Sequence, residues 1–127
     1  MFCTGTLDVA NCLVRWRIET KAFQLFSMME AFIHQHDSYG NLVPGSYAFD
    51  VEVVQKGTNL SMPVSDLVFE DVGLGIQSFS FSLVEPGNFM LMISDKHNTL
   101  ISNVPYDFKV YVGIDLDSLA FIKYLML

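Results

Sequence analysis

The chain has 127 residues, of which 51% are hydrophobic and 13% aromatic, enough for one domain with a substantial core. Only 17% are charged, which argues against disorder. Fourteen acids against seven Lys and Arg give a net charge of −7; this argues against a binder of nucleic-acid phosphates and disfavours attraction to anionic membranes.

No apolar run reaches the roughly 18–20 residues that span a bilayer, so this segment inserts no helix of its own. Met1-Phe2-Cys3-Thr4-Gly5 lacks the basic and apolar regions of a signal peptide. The chain then reads either as cytosolic or as a piece of a longer protein. Cys3 and Cys12 either close a small loop in an oxidising compartment or remain two unpaired thiols. Two cysteines are too few for a sulfur-only zinc site.

Residues 1–26 are poorly patterned, although 12–16 suit a short first strand. Residues 27–36 read as a strand with Met29, Ala31 and Ile33 on one face and Glu30, Phe32, His34 and His36 on the other. A helix over 23–31 competes, because Met28, Met29, Glu30 and Ala31 are helix formers. Asp37-Ser38-Tyr39-Gly40-Asn41 is a turn, and Pro44-Gly45 a second. Tyr47, Phe49, Val51 and Val53 then alternate with Ala48, Asp50, Glu52 and Val54, a half-buried strand.

Residues 60–64 and 68–72 are short and interrupted by Pro63, as suits an edge strand. Gly73-Leu74-Gly75 turns the chain. Gln77, Phe79, Phe81 and Leu83 alternate with Ser78, Ser80 and Ser82. After Glu85-Pro86-Gly87-Asn88, Phe89, Leu91 and Ile93 alternate in turn. Asp95–Asn98 is a turn, and Tyr106, Phe108, Val110 and Val112 form the last strand. Strands at roughly 8–12-residue spacing predict an all-β antiparallel sandwich. The expected core is Ile33, Phe49, Val51, Phe79, Phe81, Phe89, Leu91, Tyr106, Phe108 and Val110. Residues 114–127 are apolar and read as helical or irregular.

The candidate chemistry is sparse. His34 and His36 share a strand face beside Asp37, which suits either a metal or a solvated surface; His97 is distant. Asp66, Glu70 and Asp71 cluster, but without the spacing of a calcium loop. Ser78, Ser80 and Ser82 read as the wet face of a strand. There is no nucleophile elbow, and Gly73-Leu74-Gly75 lacks the lysine of a phosphate loop. The sequence therefore predicts no enzyme, no metal and no cofactor. Asn59-Leu60-Ser61 is a glycosylation sequon in a predicted loop, usable if the protein is secreted.

Three pieces occur in order: Asp37-x-x-Gly40-Asn41, Pro86-Gly87-Asn88-Phe89, and Val104-Pro105-Tyr106-x-Phe108-x-Val110. Over about residues 27–113 this order resembles a filamin-type immunoglobulin-like repeat. The Asp37–Asn41 turn and Gly75-Ile76-Gln77-x-Phe79-x-Phe81 are most similar to the family of plant gamete-expressed adhesion proteins of the sperm surface. The resemblance implies an immunoglobulin-like sandwich of about seven strands, acting without catalysis in sperm–egg attachment at fertilization. It implies the extracellular face of the plasma membrane, with an anchor elsewhere in a longer chain. It also implies a protein partner, either a gamete surface protein or neighbouring repeats. The alternative is a cytosolic, actin-associated filamin-like scaffold. In such a repeat, strands 47–54 and 60–68 would bound a groove for an added partner strand. Its candidate residues are Tyr47, Phe49, Val51, Val53, Leu60, Met62 and Val64.

Overall fold

Large apolar side chains at every second position build the centre of this fold. The computed structural model describes residues 6–112. In β7 (Ile76–Ser82) Phe79 and Phe81 are buried, while Ser80 and Ser82 lie on the opposite face. In β8 (Gly87–Ser94) Phe89, Leu91 and Ile93 point inward, and in β9 (Tyr106–Tyr111) Phe108 and Val110 do. The other strands are β1 (Leu13–Trp16), β2 (Ala22–Gln24), β3 (Met29–His34), β4 (Asp50–Gln55), β5 (Ser61–Met62) and β6 (Ser65–Gly73). One sheet has the order β1-β3-β7-β6, the other β2-β9-β8-β4-β5. The two inner faces meet in a single apolar layer, as expected of a sandwich.

Nine strands are described where the sequence reading expects about seven, and the difference lies at the edges. Residues 13–24 belong to the sandwich, although the sequence reading leaves 1–26 outside it. The chain runs as β1 beside β3, crosses between the sheets, and continues as β2 beside β9, the latter a parallel pair. No helix forms over 23–31; a turn at Leu25-Phe26 separates β2 from β3. The segment 60–68 likewise divides: β5 pairs with β4 and β6 with β7, and Pro63 stands at the crossing. Cys3 and the apolar segment 114–127 lie outside the described residues.

Trp16 explains why β1 joins the core. Its ring is 4.6 Å from Phe23, 5.3 Å from Phe108 and 6.2 Å from Phe81, centroid to centroid. Aromatic contacts of this kind add to the burial of their area. The outer edge of β1 is sealed by Asn103. Its Oδ1 accepts from the Val14 N–H at 2.9 Å, and its Nδ2 donates to the Val14 carbonyl at 2.7 Å. One side chain thus replaces a missing ladder partner.

Two buried glutamines hold the long connection that leads into β4. Gln77 Nε2 donates to Gln35 Oε1 and, at 2.7 Å, to the Tyr47 carbonyl. Gln35 Nε2 donates to the carbonyls of Val43 and Gly45 at 2.9 and 2.8 Å. Buried amides of this kind are tolerated because they are hydrogen-bonded. The start of the connection is fixed by Asp37, whose Oδ1 accepts from the N–H groups of Tyr39 and Asn41, both at 2.9 Å.

Candidate partner-binding face

β4 is an inner strand along part of its length and an edge along the rest. It pairs with β8 from Asp50 to Gln55, but with β5 only at Val53 and Val54. The Gln55 N–H donates toward β5, to the Leu60 carbonyl, and the Lys56 N–H toward β8, to the Asn88 carbonyl. Alternation along the strand then directs the N–H and C=O of Val51 to the β5 side, beyond the last paired residue. Among the described residues no strand continues the ladder there. Pro63, which has no N–H to give, stands where β5 leaves the sheet.

The seven residues expected to line a groove do not act as one surface. Phe49 and Val53 are buried in the core, at 7% and 0% exposure, and are corrected to packing residues. Their apolar, inward alternation is the signature of a core and not of a contact face. Val51, Met62 and Val64 are half-buried against that core. Tyr47 and Leu60 are exposed; Tyr47 precedes β4, and Leu60 precedes β5.

Three of the seven, Val51, Met62 and Val64, do border a depression of about 580 Å³. Its remaining lining comes from Asp50 and Glu52 of β4, Ser61 of β5, Met92 and Ser94 of β8, and Asn98 and Leu100 of the following loop. Asp50 and Glu52 pair with Ser94 and Met92, so their side chains share the outer face of the sheet. Leu100 is brought beside Ser94 by an isolated bridge. The loop between them is shaped by Asp95, whose Oδ1 accepts from the N–H groups of His97 and Thr99. Sequence reasoning missed this set because the loop residues are distant in the chain from β4. The outward Met92, opposite Glu52, was the one available signal.

The other candidates are dispersed. Asn59 is exposed in a left-handed turn with φ of 57°, accessible to modification. His34 and His36 lie 6.2 Å apart by ring centroids, but each is engaged elsewhere. His34 Nε2 accepts from Arg15 Nε at 2.9 Å, and His36 Nδ1 donates to the Asn11 carbonyl at 3.0 Å. Among the described residues no three His, Cys, Asp or Glu side chains converge for a metal. Asp66, Glu70 and Asp71 are exposed on the edge strand β6, where Asp71 accepts from Ser46 Oγ. Ser78 Oγ donates to the Glu70 carbonyl, not to a catalytic base. Cys12 is a free, fully buried thiol, pushed above its ordinary pKa chiefly by burial.

Burial, and then the charges of Arg15 and His36, hold the His34 imidazole below its ordinary pKa. The unfolded chain therefore protonates His34 first. Its stabilising effect is complete above about pH 6.5 and is lost as pH falls from there through the folded pKa. An NMR titration should place the His34 midpoint below about 6.5, and Arg15→Gln should raise it. A wild-type midpoint at or above the model-peptide value would contradict this geometry.

The family model for the GEX2 N-terminal Ig-like domain matches residues 10–110. The chain belongs to that family. The match starts near β1, in agreement with a sandwich that includes residues 13–24. The chain is 52% identical over 111 residues to Protein GAMETE EXPRESSED 2 of Arabidopsis thaliana. That alignment covers 87% of this chain and 12% of the relative, so the chain spans about an eighth of the protein it resembles. Among solved structures, the Lin-41 filamin domain is similar, with a TM-score of 0.65 and 18% identity over 84% of this chain and 98% of that one. The Escherichia coli adhesin FdeC is similar at the same TM-score and identity, covering 84% of this chain and 33% of that one. At such identity both show the fold alone: a filamin-type, immunoglobulin-like sandwich. Among the described residues no helix is long and apolar enough to cross a membrane.

Proposed function

We propose that this GEX2-type domain is a non-catalytic adhesion module of a plant gamete surface protein. In this reading it acts in sperm–egg attachment at fertilization, on the extracellular face of the plasma membrane. The observation that carries the reading is the 52% identity to Protein GAMETE EXPRESSED 2 over 111 residues. A partner of this domain is a protein: either a surface protein of the opposite gamete or a neighbouring repeat. The contact face is the partly uncovered β4–β5 edge with the depression beside it, where a partner segment can meet both main chain and side chains. Recognition there needs no bond to be made or broken, so neither cofactor nor metal takes part. Asn59 stands on an exposed turn preceding β5 and is proposed as a glycan site.

The test is competition in a gamete attachment assay. The 127-residue chain is added in soluble form, as a monomer and as a tetramer on a multivalent carrier. Reduced attachment is expected, with the tetramer effective at lower concentration through avidity. Unchanged attachment with folded tetramer in excess would remove the adhesive role from this domain and leave it a spacer.

A further inference from the structure

The depression beside the uncovered part of β4 has a defined chemistry. Among the described residues its two charged lining residues are the carboxylates of Asp50 and Glu52; Lys96 and His97 stand exposed in the adjoining loop but do not line it. Between and beside them lie Met92 and Leu100, the latter 43% exposed although apolar. The edge strand of the other sheet, β6, also carries the exposed acids Asp66, Glu70 and Asp71. Lys56 does not offset this charge, because its Nζ is paired to Asp107 at 3.1 Å, and the exposed Lys96 of the adjoining loop is matched by Asp95 next to it in the chain. The face is therefore negative, partly apolar and concave.

From this we infer that the occupant of the depression is an extended protein segment with Lys or Arg at alternate positions. The inference rests on the adhesion reading above and adds to it the partner's chemistry. Asp50 and Glu52 are two residues apart on one strand, so their side chains leave the same face at a repeat of about 6.6 Å. A segment lying extended along β4 has the same repeat. Cations at its positions i and i+2 then meet one carboxylate each. Their aliphatic stems cover Met92 and Leu100 while the charged heads stay wet, as long basic side chains do on apolar surface. An acidic segment is excluded by like-charge repulsion, so the face selects as well as attracts. The net charge of −7 adds a long-range field that speeds the approach of a cationic partner.

The probe is a ten-residue peptide with Lys at alternate positions and Val between them, compared with counterparts carrying Gln or Glu at those positions. Binding to the 127-residue chain is followed by calorimetry, and the contact is mapped from backbone amide shifts. The Lys peptide should bind about tenfold tighter than the Gln peptide at low salt, as two exposed ion pairs allow. Most of that advantage should vanish at high salt. The shifts should centre on Met92, Ser94 and Leu100. Replacing both carboxylates, Asp50→Asn with Glu52→Gln, should remove the preference without altering the melting curve. Equal affinity for the Lys and Gln peptides, or an unchanged preference in the double variant, would overturn the inference.

The attachment assay separates the two claims. If the wild-type chain competes and the double variant competes equally well, the adhesion reading stands and this inference falls. If wild type fails to compete while the carboxylate-dependent peptide preference persists, the inference stands and the adhesion reading falls.

Discussion

Phe81→Ala should destabilise the domain by about 3–5 kcal/mol, the largest loss expected from a single truncation here. The ring is fully buried near the end of β7. It lies 6.2 Å from Trp16, 6.0 Å from Phe79 and 6.4 Å from Phe108, so both sheets and the first strand share it. Its removal leaves a cavity that neighbours fixed by the strand ladder on both sides of β7 fill only in part. Urea unfolding followed by Trp16 fluorescence measures the effect, since the midpoint reports stability when the slope is unchanged. A loss under about 1 kcal/mol would show that Phe81 is not the packing centre described.

Gly75→Ala should be comparably damaging, for a different reason. Gly75 has φ of +85°, where a side chain is strained, and a Cβ there would stand 2.9 Å from the Val43 nitrogen and 3.0 Å from its oxygen. Those are backbone atoms, and they are held. The Val43 N–H donates to the Gln35 carbonyl, the Gln35 N–H donates to the Gly75 carbonyl, and the Gln35 amide donates to the Val43 carbonyl. Relief of the clash therefore breaks a buried hydrogen-bonded network. The backbone conformation alone costs about 1–2 kcal/mol, and each buried group left unpaired about 1–3 more. Gly57→Ala is the control. Its φ is +94°, but nothing lies within 4 Å of the added Cβ, so only the conformational cost applies. Equal losses at the two sites, measured by the same unfolding experiment, would remove the close approach from the explanation.

The parts of the fold legible in the sequence are those where one strand carries its own evidence. β7 and β9 alternate large apolar with small or polar residues, β8 repeats Phe89, Leu91 and Ile93 at every second position, and Phe79, Phe81, Phe89, Leu91, Phe108 and Val110 are all buried as that pattern requires. β1 and β2 are four and three residues long, too short for a period to show. Their place depends on Trp16 reaching the core and on Asn103, 89 residues away, closing the edge of β1. The beginning of β4 misled for a related reason. Tyr47, Ala48 and Phe49 look like strand, but Gln77 takes the Tyr47 carbonyl, and pairing with β8 starts only at Asp50.

The candidate face was legible only in part. Val51, Met62 and Val64 do border the depression, while Phe49 and Val53 are core. An edge strand that is also half-buried puts apolar residues on its inner side, and the sequence cannot separate those that pack from those that receive a partner. The carboxylates that give the face its character, Asp50 and Glu52, stand at the polar positions of the same alternation. Met92 and Leu100 join them only through the pairing of β4 with β8 and the return of the 95–100 loop.

We propose that this domain works outside the cell, as a protein-binding module on a gamete surface. The most direct measurement is antibody labelling of intact, unpermeabilised sperm cells that carry the complete protein with an epitope tag beside this domain. Surface labelling without permeabilisation is expected, and its loss on brief protease treatment of the living cells. Labelling seen only after the membrane is opened would contradict the account and leave the cytosolic scaffold reading in its place.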